Sequence, residues 1–135
     1  MIYLTRKEHF NAAHQLYNPD WDIAKNEIVF GKCANKHFHG HNYDLYVTVK
    51  GLPDKETGFI MNVKELSQII KKEVCLLLDH KNLNLDVLEL KGVMVSTENL
   101  AVFIWQKLLP HIKGCQLHSI KLYETENIYV EYYGE

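Results

Sequence analysis

The sequence predicts an α+β fold: a four-stranded antiparallel sheet with two helices on one face. Four stretches alternate apolar and polar residues, the pattern of half-buried strands. Two other stretches carry apolar residues at helical spacing. Their order along the chain is strand, strand, helix, helix, strand, strand, and two amphipathic helices suffice to cover one face of such a sheet.

The first strand falls within residues 2–16, where Ile2, Leu4, Phe10, Ala12 and His14 share one parity. Arg6 and Glu8 lie on that parity too and leave its register open. Asn18-Pro19-Asp20 signals a turn. Residues 17–38 read as a long connection with a helical turn around Asp22–Val29, and loops of that length in small domains are usually functional or mobile. Gly31 permits a sharp turn before Lys32-Cys33. A second strand runs about His39–Gly51, followed by a loop at residues 52–58.

Asn62, with Glu65 three residues on, reads as a capping-box variant opening the first long helix. Its stripe is Leu66, Ile69, Ile70, Val74, Leu77 and Leu78, and it ends near Leu78–His80. Ser96 caps the second helix, Glu98 complements its dipole, and Leu100, Phe103, Ile104, Leu108 and Ile112 form its stripe. Pro110 and Gly114 mark its end. The last strands are about Leu117–Thr125 and Ile128–Tyr133, joined by a short turn. The outer strands leave free edges, which predicts pairing between copies into a larger closed sheet.

The 135 residues fit one domain spanning 1–135, long enough to bury about two-thirds of the unfolded surface. A net charge of -2 points to neither a nucleic-acid nor a membrane partner. No window approaches a membrane span, and the first residues lack the apolar run of a signal peptide. Three cysteines are too few and too scattered for a disulfide framework, so the expected location is the cytoplasm.

Chemistry concentrates at Cys33 to Tyr43, where one cysteine and three histidines fall within nine positions. On a strand His39 and His41 point to one side, with Cα atoms about 6.6 Å apart, so two imidazoles can converge on one ion. Gly40 between them reads as relief of crowding. His14, at the end of the adjacent strand on its apolar parity, is the third candidate. Three histidines without a fixed fourth ligand match a catalytic zinc with an open position, whereas a buried, hydrogen-bonded core histidine would account for His14 alone. Cys33 reads as a fourth ligand, as a nucleophile or base beside an open site, or as a small buried hydrophobe. Asp79-His80 reads as a carboxylate-oriented imidazole or as a helix terminus in which His80 complements the dipole. Glu124 shares the parity of Ile120 and Leu122. There it either pairs with the guanidine-like edge of a heterocycle or sits solvated at the strand end.

These residues stand in six segments: Phe10-Asn11-Ala12-Ala13-His14, Phe30-Gly31-Lys32-Cys33, His39-Gly40-His41-Asn42-Tyr43, Leu78-Asp79-His80-Lys81-Asn82-Leu83, Ser96-Thr97-Glu98-Asn99 and Tyr123-Glu124-Thr125. In this order and spacing the chain resembles the 6-pyruvoyl-tetrahydropterin synthase family over most of its length. The resemblance implies the tunnelling fold (T-fold), in which trimers close a twelve-stranded barrel and two trimers stack into a homohexamer. It implies zinc on His14, His39 and His41, and Cys33 as the base, assisted by Asp79 and His80 from another subunit. It implies Glu124 gripping the pterin, with Ser96, Thr97 and Glu98 nearby, and 7,8-dihydroneopterin triphosphate as substrate. Lys32, Lys36 and Lys81 could steer the triphosphate or be ordinary surface lysines. Five residues separate Cys33 from His39, a spacing that resembles the branch making 6-pyruvoyl-tetrahydropterin. The alternative branch makes 6-carboxy-5,6,7,8-tetrahydropterin for queuosine and releases acetaldehyde as well. Competing classes are a non-catalytic, zinc-stabilised pterin-binding module and an aldolase-like activity on dihydroneopterin.

Overall fold

The computed structural model describes residues 1–135. Strands β1 (Ile2–His14) and β2 (His39–Gly51) pair antiparallel along their full length, from Ile2 opposite Gly51 to His14 opposite His39. Beyond β2 lie β4 (Gln116–Thr125) and β5 (Ile128–Tyr132), each antiparallel to its neighbour. A two-residue strand, β3 (Lys81–Asn82), adds in parallel to the other side of β1 at Ala12 and Ala13. The sheet is therefore five-stranded and mixed, in the order β3-β1-β2-β4-β5, rather than the expected four-stranded antiparallel one. Two residues carry no readable alternation. Backbone bonds place them, as His80 N–H donates to Asn11 O at 2.6 Å and Leu83 N–H to Ala13 O at 2.8 Å.

β1 keeps the parity of its apolar residues throughout. Glu8 is buried on the core face, where Ser67 Oγ donates to its Oε1 and Arg6 Nε donates to the same oxygen at 3.0 Å. A buried carboxylate so paired does not break the register. The strand ends at His14, two residues before the expected limit.

The first long helix begins at α2 (Val63–Ile70), where the Asn62 side chain accepts from Lys64 N–H at 2.9 Å. Glu65 makes no return bond, so the cap is a single one rather than a reciprocal box. The helix continues through a π turn at Lys71–Cys75 into α3 (Leu76–Leu78). Leu66, Ile70, Val74 and Leu78 are all buried and each is four residues from the next. On a 3.6-residue turn that spacing drifts by about 40° per step. The wider π turn takes up the drift and keeps the stripe on the sheet.

Helix α4 (Thr97–Leu108) is capped by Ser96, whose Oγ accepts from Asn99 N–H at 3.2 Å. It buries Leu100, Ala101, Ile104 and Leu108. Both helices press on Phe10, Tyr43, Leu45, Val47, Ile120 and Leu122 of the sheet.

The connection after β1 holds a third helix, α1 (Ile23–Phe30), where a helical turn was expected. Asp22 caps it by accepting from Lys25 N–H at 2.7 Å. It buries only Asn26, whose side chain closes a two-way hydrogen bond with the Asn18 backbone, and Ile28 stays exposed. This helix shapes the loop and contributes nothing to the core. No helix is long and apolar enough to cross a membrane.

Candidate metal centre

At one end of the sheet, β1 finishes as β2 begins. The pairing of His14 with His39 places the two imidazoles side by side, 4.5 Å between ring centroids. Two-residue periodicity carries His41 to the same face, 4.8 Å from His39 and 5.1 Å from His14. The end of β4 adds Glu124. One ligand atom from each of these four side chains falls within 4.8 Å of all the others.

His14 is 1% exposed. Its Nδ1–H donates to the Val95 carbonyl at 2.7 Å, which fixes the tautomer and turns the Nε2 lone pair toward the cluster. His14 Nε2, both ring nitrogens of His39 and His41 Nε2 are buried without a hydrogen-bond partner. Stranded groups of this kind cost about 1–3 kcal/mol each. Burial lowers the pKa of all three imidazoles, so near neutral pH they present lone pairs rather than protons. Neutral imidazoles with one carboxylate are the donor set of a zinc site, and one ion would satisfy one stranded nitrogen from each of the three rings.

Glu124 Oε1 lies 2.8 Å from His41 Nε2 and 3.9 Å from His14 Nε2. The shorter contact has ion-pair distance but not the alignment of a hydrogen bond, so His41 Nε2 remains unsatisfied. Glu124 Oε2 accepts from Thr97 Oγ1 at 2.7 Å. The N-terminus of α4 thus holds the outer oxygen while the imidazoles crowd the inner one.

Thr97 is the expected residue of the Ser96-Thr97-Glu98 segment that joins the group directly. Ser96 serves the helix cap, and Glu98 is exposed and takes no part in the group's hydrogen bonds. Cys33 sits half-buried on a 3-10 turn, Gly31–Ala34, outside the four-residue cluster. That turn is tied to the chain just past His14. Leu16 N–H donates to Cys33 O at 2.8 Å and Gln15 Nε2 to Ala34 O at 2.9 Å.

Asp79 and His80 lie elsewhere, at the outer edge of β1. Asp79 Oδ1 accepts from Asn11 N–H at 2.8 Å, and Oδ2 lies 3.1 Å from His80 Nδ1. The Asn11 hydrogen bond is the main cause that holds the Asp79 carboxyl below its usual range. His80 adopts the left-handed region, φ 60°, and its side chain is 82% exposed. The pair is oriented, but it faces solvent rather than this chain's imidazoles.

Three partners escaped the sequence reading: the Val95 carbonyl, the contact of Glu124 with the imidazoles, and Tyr43. Tyr43 continues the His39, His41 parity as a fully buried ring edge-on to His14 and His41. Only this parity signalled it. Gly40 was read as relief of crowding, but a Cβ there would meet Ala12 O at an ordinary 3.5 Å.

The family model for 6-pyruvoyl tetrahydropterin synthase matches residues 3–135. The chain is 46% identical over 134 residues to a 6-pyruvoyl tetrahydrobiopterin synthase of Dictyostelium discoideum, covering 99% of this chain and 97% of that one. It is 24% identical over 149 residues to a 6-carboxy-5,6,7,8-tetrahydropterin synthase of Rickettsia typhi, covering 97% and 99%. The solved 6-pyruvoyl tetrahydropterin synthase of Caenorhabditis elegans superposes with a TM-score of 0.93 at 30% identity, covering 99% and 96%. The chain belongs to the 6-pyruvoyl tetrahydropterin synthase family.

Proposed function

We propose that this protein is a lyase that converts 7,8-dihydroneopterin triphosphate to 6-pyruvoyl-tetrahydropterin with release of triphosphate. The observation that carries the reading is the set of three neutral imidazoles, His14 buried and His39 and His41 half-buried, with stranded nitrogens, in a chain of this family. His14, His39 and His41 would hold zinc. Bound there, zinc supplies Lewis-acid polarisation of the substrate's side-chain hydroxyls, which acidifies the adjacent C–H bonds.

The chain's own residues do the rest. Glu124, held by Thr97, accepts the N–H edge of the pterin ring and fixes its orientation, with Ser96 and Glu98 flanking that end of α4. Cys33, on its turn next to β1, takes the proton from the first carbinol carbon and returns protons to the ring and side chain. The electron pair released at that carbon reduces the ring C=N bond as its own hydroxyl becomes a carbonyl. Loss of the second carbinol carbon's proton then forms a C=C bond as the terminal triphosphate leaves with the bonding pair of its C–O bond. The resulting enol takes up a proton at the terminal carbon to give the second ketone of the pyruvoyl group. No external hydride donor is required. His80, oriented by Asp79, assists proton transfer in a neighbouring subunit, because its exposed ring points away from its own chain's cluster.

We place the protein in the cytoplasm as a homohexamer of two stacked trimers, a single functional domain over 1–135. The open edge of β5, a β3 of only two residues, and three free cysteines support this reading. Identity of 46% to a pyruvoyl-type relative against 24% to a carboxy-type one supports the pyruvoyl product.

The test is incubation of zinc-loaded protein with 7,8-dihydroneopterin triphosphate. Release of triphosphate with a 6-pyruvoyl product by mass spectrometry is expected. Acetaldehyde in the same tube would shift the assignment to the carboxy product, and unchanged substrate would sink both.

A further inference from the structure

Apart from the three imidazoles, Tyr43 carries the one buried side-chain polar atom in the molecule without a hydrogen-bond partner. The residue is 0% exposed and its ring stacks on Phe10, centroids 4.9 Å apart and planes 15° apart. Phenylalanine would fill this space and stack as well without stranding a hydroxyl. In the state described here the O–H only costs stability. Burial, with the Glu124 charge adding to it, pushes the phenol pKa up, so the group is a neutral donor.

Its acceptor can be located from the cluster. β2 and β4 pair Leu45 with Leu122 and Asp44 with Tyr123, and β4 bulges between Tyr123 and Thr125. Glu124, within that bulge, stays on the Tyr43 side: its Oε1 lies 2.8 Å from Nε2 of His41, whose ring meets Tyr43 edge-on with centroids 5.6 Å apart. Glu124 Oε1 is now drawn to His41 and His14, the nitrogens a cation would take, while Oε2 is engaged by Thr97.

We propose that Tyr43 is a positioning residue. Its hydroxyl donates to Glu124 once that carboxylate is released from the imidazoles, and holds it where it grips the pterin. This rests on the zinc and pterin reading given above. Tyr43 then acts as a latch: unpaired while Glu124 lies on the histidines, paired when they are occupied.

The test compares the full-length protein with Tyr43→Phe, using zinc alone as the first probe. Without metal, Tyr43→Phe should melt at the same temperature as the unsubstituted protein or higher. A lower melting temperature would mean the hydroxyl is already bonded, and would overturn the proposal. In chelator competition, Tyr43→Phe should bind zinc about ten-fold more weakly, the scale of one hydrogen bond to a charged group. In a Glu124→Ala background the same substitution should change zinc affinity less than about two-fold, the additive limit of a double-mutant cycle. Equal zinc affinity for Tyr43→Phe and unsubstituted protein, or equal losses in both backgrounds, would overturn the latch. Neopterin, lacking the phosphates, serves as second probe: its affinity for zinc-loaded Tyr43→Phe should fall, and an unchanged affinity counts against the latch. If the unsubstituted protein binds no zinc, the functional reading itself fails, a result separable from a loss of the latch alone.

Discussion

At His14 a single carbonyl decides the chemistry. Val95 O takes the Nδ1 proton, so the lone pair faces the cluster, and burial keeps the ring neutral. Burial lowers the pKa of His39 and His41 as well. An unfolded histidine titrates near about pH 6.5. Below that the unfolded chain binds more protons than the folded one, so stability falls with pH. The melting temperature of metal-free protein should therefore drop from about pH 7.5 to about 5.5, and His39→Gln should drop less steeply, read by calorimetry. Cys33 is the complementary case, a half-buried side chain outside the four-residue cluster. Cys33→Ala should retain zinc and neopterin binding yet lose turnover by about 100-fold or more, the scale of general acid–base catalysis. Loss of zinc in that variant would instead make Cys33 a ligand. Parity made His14, His39, His41 and Glu124 candidates, and the family resemblance of the motif order and spacing gave them their roles. The Val95 carbonyl and the Thr97–Glu124 bond were not, because each joins residues far apart in the chain through tertiary packing.

At the scale of elements, the joint between β1 and α2 turns on Glu8. Burial pushes its pKa up, but the hydrogen bonds of Ser67 and Arg6 and the charge of Lys71 outweigh that and hold it below its usual range. A depressed carboxyl contributes stability that is present above the unfolded value, near about 4.3, and lost as pH falls through the folded value. Glu8→Gln should flatten the acid limb of the stability profile below that pH. Glu8→Ala should cost about 1.5–3 kcal/mol at neutral pH by urea unfolding, since Ser67 and Arg6 lose a charged acceptor. An unchanged acid limb in Glu8→Gln would mean the ion pair does not persist in solution. Caps and periodicity made α2, α4 and the long strands legible. β3 was not, because tertiary backbone bonds to Asn11 and Ala13 define it. The π turn hid within a stripe that reads as ordinary helix, and only the strict four-residue spacing of Leu66, Ile70, Val74 and Leu78 betrays it.

For the whole molecule, the decisive feature is that one chain carries two groups of titratable side chains facing different ways. The imidazole cluster and Cys33 lie around the end of β1 and the start of β2, while Asp79 and His80 are rigidly held at the outer edge of β1 with His80 turned to solvent. The His80 backbone bond to Asn11 and the Asp79 bond to the same residue fix the main chain from which that ring projects. Under the roles proposed for Cys33 and His80, a complete site would require a second copy. The consequence is complementation. Cys33→Ala and His80→Ala proteins should each be inactive alone. Unfolded together in equal amounts and refolded, a site is intact only where a His80→Ala chain supplies Cys33 and a Cys33→Ala chain supplies His80. Random assembly makes that about one site in four, so activity should return to roughly a quarter of the unsubstituted level. No recovery, with mixed oligomers demonstrated by mass spectrometry, would place both residues in one chain's site and require the edge of β1 to rearrange. Recovery near a quarter would assign the two halves to neighbouring subunits.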